Sequence, residues 1–264
     1  MGSIHSKVEG LRWQKANTKL KELQAALSKQ LGRKANLYGL SLPAGWSCPQ
    51  ALDCLTKVHR ITGKVTDGKQ QEFRCFAATM EAMSPQLRRM VWHNFDILRA
   101  AKTRQGMLAA LLATFPENAD AVRPGLDGDF YNQAYFDAWM DLARAKPNVK
   151  VYAYTKSAGY WIHHMMTEGI PANVELNYSR GGSQDELARA HGLKTAVVVL
   201  HPEEAEALGL EIDHDESHAI NPGGDFALLI HGTQPKGSKA AEAKKRLSSE
   251  GVKYAYGSGK DSIK

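Results

Sequence analysis

The chain has 264 residues, a formal net charge of +6, 43% hydrophobic residues and 23% charged residues. This composition is typical of a soluble globular protein and excludes a disordered tail or a fibre. No apolar run approaches the roughly 18 residues that a membrane helix needs, and the first residues lack the basic and apolar regions of a signal peptide. We therefore expect a cytoplasmic protein without a membrane partner, in which cysteines are kept reduced.

An amphipathic helix is predicted near the start of the chain. Leucines recur at helical spacing from Leu20 to Leu31. Asn17 and Thr18 are suited to capping the beginning of this helix, and Gly32 is suited to ending it. The N-terminal helix is therefore assigned to residues 1–34.

The segment 35–115 is expected to hold a strand, a cysteine-bearing loop, a hairpin and two or three helices. The strand is predicted at 35–42. The turn Asp67-Gly68 lies between two β-rich segments, 61–65 and 72–76, which predicts a hairpin with Cys75 on its second strand. Helical spacing of apolar residues follows, with Pro85 at a helix start.

Strands and helices alternate in the second half of the chain. The predicted strands are 121–126, 149–154, 173–176, 194–200 and 226–230, and helices begin near Gln133, Gly159, Asp185, Glu203 and Lys239. This alternation predicts α/β architecture with a parallel sheet or barrel. We interpret 1–264 as a single β/α domain, with β/α repeats over 116–256 and a tail over 257–264.

Polar residues follow each predicted parallel strand. Loops converge and helix N-termini point at the carboxyl ends of such strands, so reactive groups collect there. Gly128 allows a ligand to approach closely, Lys156 can pair with an anion, and Gly181-Gly182 can present backbone N–H groups to a phosphate or carboxylate. N-capping of a helix is the alternative role for Asp129 and Ser157.

The three cysteines of the chain lie within 30 residues of one another. Cys48, Cys54 and Cys75 have the spacing C-x5-C-x20-C. Three thiolates can hold three irons of a 4Fe-4S cluster and leave the fourth iron open to a small molecule. Zinc is the alternative metal, with His59 as a fourth ligand, and packing as small hydrophobic residues is the third interpretation. The spacing leaves all three open.

The histidines discriminate little between functions. His163 and His164 are consecutive on a predicted helix and therefore point to different faces, which favours packing and surface roles. His214 and His218 alternate with acidic residues in a loop that we interpret as solvated. Phosphate-binding P-loop, nucleophile-elbow, H-E-x-x-H and dinucleotide-binding motifs do not occur in the sequence.

Longer runs of residues carry a resemblance to a known family. They are Asn17-Thr18-Lys19-Leu20, Ser41-Leu42-Pro43-Ala44-Gly45 with Cys48-Pro49, Thr66-Asp67-Gly68-Lys69, Phe73-Arg74-Cys75, Gly128-Asp129-Phe130-Tyr131 and Tyr152-Ala153-Tyr154-Thr155-Lys156-Ser157. Through these runs the chain resembles the gene product 88 family of bacteriophage proteins over residues 17–180. The resemblance implies a protein of the host cytoplasm and names no reaction.

The layout is also distantly similar to radical S-adenosylmethionine enzymes, which place a three-cysteine cluster near the start of a β/α barrel. This similarity implies a partial parallel β/α barrel with an N-terminal helical and cysteine-bearing elaboration, and S-adenosylmethionine as a second cofactor. The chain departs from the C-x3-C-x2-C loop of those enzymes. By this similarity Cys48, Cys54 and Cys75 are metal ligands, Asp129 and Lys156 are catalytic, and the cofactor-binding residues are Gly128, Ser157, Ser179, Arg180 and Gly181.

Two functions follow from these expectations. The first is a radical-type enzyme that modifies a nucleotide or nucleic acid, in keeping with the phage resemblance and the sequence pI of about 9.1. The alternative is a non-catalytic protein that binds nucleic acid or a host protein, in which a cluster or zinc staples the loop. In that alternative, basic ends with Trp13, Tyr254 and Tyr256 contact phosphates and bases.

Overall fold

A computed structural model describes residues 10–16 and 20–251. The strands are β1 (Gln14–Lys15), β2 (Leu37–Leu40), β3 (Thr56–Val58), β4 (Val65–Asp67), β5 (Ala121–Pro124), β6 (Lys150–Thr155), β7 (Val174–Ser179), β8 (Thr195–Val199) and β9 (Phe226–Leu229). The helices are α1 (Lys21–Leu31), α2 (Phe76–Met83), α3 (Pro85–Ala101), α4 (Arg104–Ala113), α5 (Gln133–Ala145), α6 (Ala158–Thr167), α7 (Asp185–Ala190), α8 (Pro202–Ala207), α9 (Ser217–Ile220) and α10 (Lys239–Ser249).

Seven strands form one sheet in the order β1-β2-β5-β6-β7-β8-β9. β1 is antiparallel to β2, and every later neighbour is parallel. The parallel strands therefore succeed one another in chain order, without the reversal of order that marks a doubly wound sheet. The predicted α/β class and parallel sheet are confirmed, and closure of this sheet into a partial barrel stays a prediction.

Both faces of the sheet are covered. Alternate residues of a strand point to opposite faces, so Leu37 and Leu40 of β2 enter different cores. The larger core lies under α3, α4 and α5 and contains the fully buried Trp139. The smaller core lies under α1 and α9 and contains Tyr152 and Phe226. The carboxyl ends of the strands emerge between these two layers, where the candidate site lies.

Most predicted elements are present within a few residues of their expected bounds. Gly32 ends α1 with a φ of 65°, a left-handed conformation that glycine adopts without steric cost. α10 begins at Lys239 as predicted, and Ser84 caps α3 ahead of Pro85 by accepting the Leu87 N–H. The proposed capping residues Asn17 and Thr18 lie outside the described residues.

The predicted hairpin was wrong in its bounds. β3 pairs with β4, so the hairpin turn falls at 59–64, before the Asp67-Gly68 sequence. The segment expected as the second strand instead lies against the cysteine loop, because Glu72 and Phe73 both donate their N–H groups to the Asp53 carbonyl. Cys75 consequently stands at the N-cap of α2 and not on a strand.

Two short elements were missed by the sequence patterns. β1 is two residues long, and α9 is a single turn inside the loop of His214 and His218. Over the described ranges, no helix combines the length and apolar character that crossing a membrane requires.

Candidate functional site

Asp129 lies just beyond the end of β5, in a turn that glycine makes possible. Gly128 has a φ of 83°, and a Cβ there would lie 2.4 Å from the Ser47 Oγ and 2.9 Å from the Leu42 carbonyl. The missing side chain was expected to admit a ligand. In the structure its space is taken by the chain's own segment 42–47, which brings the cysteine loop close to Asp129.

The Asp129 carboxylate is buried and accepts hydrogen bonds from the end of the neighbouring strand. Its Oδ1 accepts from the Phe130 N–H and the Thr155 Oγ1, each at 2.6 Å, and its Oδ2 accepts from the Lys156 N–H at 2.8 Å. Burial raises the pKa of Asp129 to about 6, although these three hydrogen bonds oppose the rise. The carboxylate thus ties β5 to β6.

The Lys156 side chain extends from the end of β6 to the end of β7. Its Nζ donates to the carbonyl oxygens of Ser179 and Arg180, at 2.8 and 2.5 Å, and lies 3.3 Å from the Ser179 Oγ. Only 5% of Lys156 is exposed. The oxygens that accept from this buried ammonium are neutral, so they do not cancel its charge. Lys156 is therefore a source of positive potential at this edge.

The helix-capping alternative for Asp129 and Ser157 is not supported. Asn132, and not Asp129, caps α5 by accepting the Tyr135 N–H. Ser157 stands at the N-cap of α6 without a capping hydrogen bond, and its Oγ donates to the Phe130 carbonyl at 3.0 Å. Both residues therefore connect the loops after β5 and β6.

The glycines after β7 already have an anion of their own. The N–H groups of Gly181 and Gly182 donate to the Asp185 carboxylate at 2.9–3.1 Å. The same carboxylate accepts from the Tyr178 hydroxyl at 2.7 Å. As the loop stands, these N–H groups are engaged, and their role in binding a phosphate or carboxylate stays a prediction.

The loop that carries Cys48 and Cys54 packs on this strand edge. The N–H groups of Leu52 and Asp53 donate to the Gly181 carbonyl, and the Ser183 N–H donates to the Gln50 carbonyl. The turn after β7 therefore holds the loop at two places, at Gln50 and at Leu52 with Asp53. Five chain segments thus meet here: the loop, the N-terminus of α2 with Cys75, and the ends of β5, β6 and β7.

The three thiols and the Asp129 carboxyl lie within electrostatic range of one another. Burial is the main cause that raises the pKa of Cys48 well above its usual value, and the charges of Asp129, Cys75 and Cys54 add to it. Burial also raises the pKa of Cys75 to about 12, against hydrogen bonds from the backbone of Ala77 and Ala78. Without a bound cation, these thiols are protonated at neutral pH.

Cys54 differs because Lys156 acts on it. Burial raises the pKa of Cys54, but the charge of Lys156 opposes that rise more than any other group does. The structure therefore brings together the three predicted ligands and both predicted catalytic residues. Ser157, Ser179 and the backbone of Arg180 join the same network through the contacts above.

In the ranges that the structure describes, no three His, Cys, Asp or Glu side chains are arranged to hold a metal ion. His59 is exposed in the β3–β4 turn, where its Nδ1 accepts the Thr62 N–H. In the loop 213–218, the carboxylates of Asp213 and Asp215 accept N–H groups of the loop and of α9. The solvated-loop interpretation therefore needs one change, since these carboxylates shape α9.

A cleft opens beyond the end of β7, beside Asp53 of the cysteine loop. β7 ends at Ser179, whose partner in β8 is Ala196, and β8 continues to Val199 with β9 as its only neighbouring strand. A cavity of about 420 Å³ lies there, with Glu204 of α8 in its wall. Its lining includes Asp53, Arg180 and Val197–Val199. A crevice beyond the carboxyl end of a parallel strand is a common ligand site.

Several buried charged residues near the site were missed by sequence reasoning. Glu81 of α2 accepts the Ala44 N–H, and burial raises the pKa of Glu81 to about 7. Arg123 of β5 forms a buried ion pair with Glu216 at 2.8 Å. A charged residue inside an apolar strand pattern was the one available signal for Arg123. Glu81 and Glu216 have no local signal, because contacts distant in sequence bury them.

Two histidines and an aromatic residue have structural roles. His163 is exposed and His164 is buried, which confirms that they face different sides of α6. The His164 Nδ1 contacts Asp137 at 2.8 Å. Trp13 makes edge contacts with the Phe115 and Trp139 rings, within the core. Tyr254 and Tyr256, the other aromatics proposed to contact bases, lie outside the described residues.

Comparison with known proteins places the sequence among phage proteins. The sequence model of one family, Gene product 88, matches residues 11–250. The chain is 27% identical over 165 residues to the Gene 88 proteins of Mycobacterium phages L5 and D29, which is 59% of this chain. The alignment covers 61% and 60% of those two proteins. No solved structure matches the chain.

Proposed function

The chain belongs to the Gene product 88 family, and we propose that this phage-type protein binds an iron–sulfur cluster through Cys48, Cys54 and Cys75. The observation that supports the proposal is the meeting of the two loop thiols with Cys75, at the start of α2, beside Asp129 and Lys156. Three unrelated core cysteines would have no reason to share one strand edge with a buried carboxylate and a buried ammonium.

The electrostatics of the thiols favour a cationic group. Burial and mutual repulsion disfavour three thiolates, and the Asp129 charge further disfavours those of Cys48 and Cys54. Iron supplies the positive charge that these groups lack, and its binding would release the thiol protons. Backbone hydrogen bonds to the Cys75 sulfur, from the first turn of α2, would also stabilise a bound thiolate.

A cluster places a looser demand on the positions of the thiols than a single zinc ion does. One ion needs all its ligands around a single point. Each cysteine of a cluster binds a different iron, so the thiols lie farther apart. His59, the fourth zinc ligand in the alternative, has its Nδ1 engaged by the turn that holds it.

Three cysteine ligands leave one iron of a 4Fe-4S cluster without a protein ligand. We propose that the molecule bound to this iron lies in the neighbouring cleft. Arg180 at the cleft lining can pair with a carboxylate or phosphate. Lys156 holds the loop that presents Arg180, and Asp129 holds Lys156. When bound, the cluster would supply the single electron that cleaves S-adenosylmethionine and starts hydrogen abstraction from a nucleotide or nucleic acid.

The cluster is tested by anaerobic preparation with iron, sulfide and zinc analysis and electron paramagnetic resonance of the reduced protein. We expect about four irons and four sulfides per chain, lost in Cys48→Ala, Cys54→Ala and Cys75→Ala. Ser183→Ala is the matched control, because its exposed hydroxyl contacts Gln50 of the same loop and its removal leaves all three thiols in the chain. Stoichiometric zinc, or no metal, would overturn the cluster.

The reaction is tested separately, by following S-adenosylmethionine cleavage to 5′-deoxyadenosine with dithionite as reductant. Cleavage that needs all three cysteines and falls in Arg180→Ala would support the enzyme. A full cluster without cleavage would overturn the enzyme. It would favour the alternative, a binding protein in which the cluster staples the loop.

A further inference from the structure

An exposed indole ring stands two residues before Cys48. Trp46 is 47% exposed, although its Nε1 donates to the Val58 carbonyl at 3.0 Å. That hydrogen bond fixes the ring in place while leaving about half of its surface open. The exposed half of a ring held in this way offers a flat apolar surface on which another ring can stack.

Cations surround this ring and the indole beside it. The Trp92 ring lies 5.7 Å from the Trp46 ring, centroid to centroid. The Lys57 Nζ is 4.8 Å from the Trp46 ring, and the Arg60 guanidinium is 5.1 Å from the Trp92 ring. Aromatic rings interleaved with cations are typical of proteins that bind single strands, where bases stack on rings and phosphates pair with cations.

A cavity continues the surface from Trp92. Its volume is about 340 Å³, and its lining is Arg60, Ile61, Pro85, Arg88, Arg89 and Trp92. Three guanidinium groups therefore line it, and no acidic residue does so. The Arg88 group donates to backbone carbonyls, including those of Glu81 and Ala82, which hold it without neutralising its charge.

One exposed acid opposes these cations. Asp96 forms an ion pair with Arg60 at 2.5 Å, with about half of each side chain exposed. Such an exposed pair is weak and can exchange its carboxylate for a phosphate. Glu81 lies underneath, 1% exposed, and is held by the Ala44 N–H. The accessible charge of this surface is therefore positive.

We propose that single-stranded nucleic acid binds at this surface, with a base stacked on Trp46 and phosphates on Arg60 and Arg89. A duplex hides the ring faces of its bases, so an exposed indole favours a single strand. The proposal deepens the proposed function by naming its substrate class, because a strand on Trp46 would pass beside Cys48. The binding itself needs no cluster.

Binding is measured by fluorescence anisotropy of the full chain with a fluorescein-labelled 12-nucleotide oligothymidine over a series of salt concentrations. We expect Trp46→Ala to weaken binding about tenfold, with Trp46→Phe recovering part of the loss. Arg60→Ala with Arg89→Ala should weaken binding and also reduce the slope of log affinity against log salt.

Two control variants match these changes elsewhere on the surface. Arg189→Ala removes a guanidinium that is exposed on α7, and Met166→Ala removes an apolar side chain that is 74% exposed on α6. Both should bind as the parent protein does. The proposal would be overturned if Trp46→Ala bound the oligonucleotide as tightly as the parent protein does. It would also be overturned if polyglutamate displaced the labelled strand as well as unlabelled oligothymidine does, because charge alone would then be recognised.

The same measurement separates this proposal from the cluster. The triple variant Cys48→Ala, Cys54→Ala, Cys75→Ala should still bind the oligonucleotide, and Trp46→Ala should keep its iron and sulfide. If Trp46→Ala loses oligonucleotide binding but keeps its full metal content, the nucleic acid binds at the surface around Trp46. A parent protein that holds no metal and still binds the oligonucleotide would support the nucleic-acid surface and overturn only the cluster.

Discussion

Asp129 binds the backbone N–H of Lys156 at 2.8 Å, while the Lys156 Nζ turns away to the carbonyl oxygens of Ser179 and Arg180. The two residues therefore act in sequence: one joins β5 to β6, and the other joins β6 to β7. These contacts fix the turn after β7, and that turn binds the cysteine loop. Substitutions here are expected to change stability and thiol chemistry together.

Replacing Asp129 by Asn should destabilise the fold. Three donors point at its carboxylate, whereas an amide offers one acceptor oxygen and turns an NH₂ group toward the remaining donors. We expect a loss of about 1–3 kcal/mol in the free energy of unfolding, measured with urea at pH 8. Glu206→Gln, the same change at an exposed position, is the control. An Asp129→Asn protein as stable as the parent would contradict this role.

Replacing Lys156 by Met should make Cys54 less reactive. The Lys156 charge holds down the pKa of Cys54 against burial, so its removal leaves less thiolate at a given pH. In metal-free protein with Cys54 as the sole cysteine, iodoacetamide alkylation should slow and its pH profile should move upward. With Cys75 as the sole cysteine, whose pKa Lys156 does not govern, the same substitution should leave the profile unchanged.

Glu81 should make the protein less stable as the pH rises. Burial raises the pKa of Glu81 from 4.5 to about 7, so the folded state binds this proton more tightly than the unfolded state does. Stability from this group is full below pH 4.5 and is lost as the pH rises toward 7, by about 3 kcal/mol at most.

The Glu81→Gln variant should therefore show a shallower fall in unfolding free energy between pH 4.5 and 7. Some fall should remain, because the pKa of Asp129 is also raised, to about 6. Urea unfolding at several pH values measures both slopes. Parallel pH profiles for the parent protein and the variant would show that Glu81 does not titrate in this range.

Breaking the Arg123–Glu216 pair should cost more than breaking any surface pair. Both Glu216 oxygens accept from Arg123 at 2.8 Å, with the carboxylate fully buried. Arg123→Met should lower the unfolding free energy by about 3–5 kcal/mol, because it leaves that charge buried without its guanidinium. Adding Glu216→Gln should recover part of the loss in a double-mutant cycle. Arg246→Ala, at an exposed pair that solvent screens, should change the unfolding free energy far less.

The regular elements were largely predictable because their signals are local. Apolar spacing, Gly32 and Pro85 located helices to within a few residues, and the alternation of strands with helices predicted the parallel sheet. The hairpin was misplaced because its bounds depend on a distant partner. Glu72 and Phe73 bind the Asp53 carbonyl, a contact that no local pattern encodes.

The sequence by itself determined which residues could form the site: three clustered cysteines, and polar residues after parallel strands, whose carboxyl ends share one edge. Only the tertiary structure decided what those residues touch. It turned the Lys156 ammonium to the end of β7, gave the Gly181 and Gly182 N–H groups to Asp185, and filled the space over Gly128 with the cysteine loop. These outcomes depend on burial and on contacts between segments far apart in the chain, and neither quantity is contained in residue spacing.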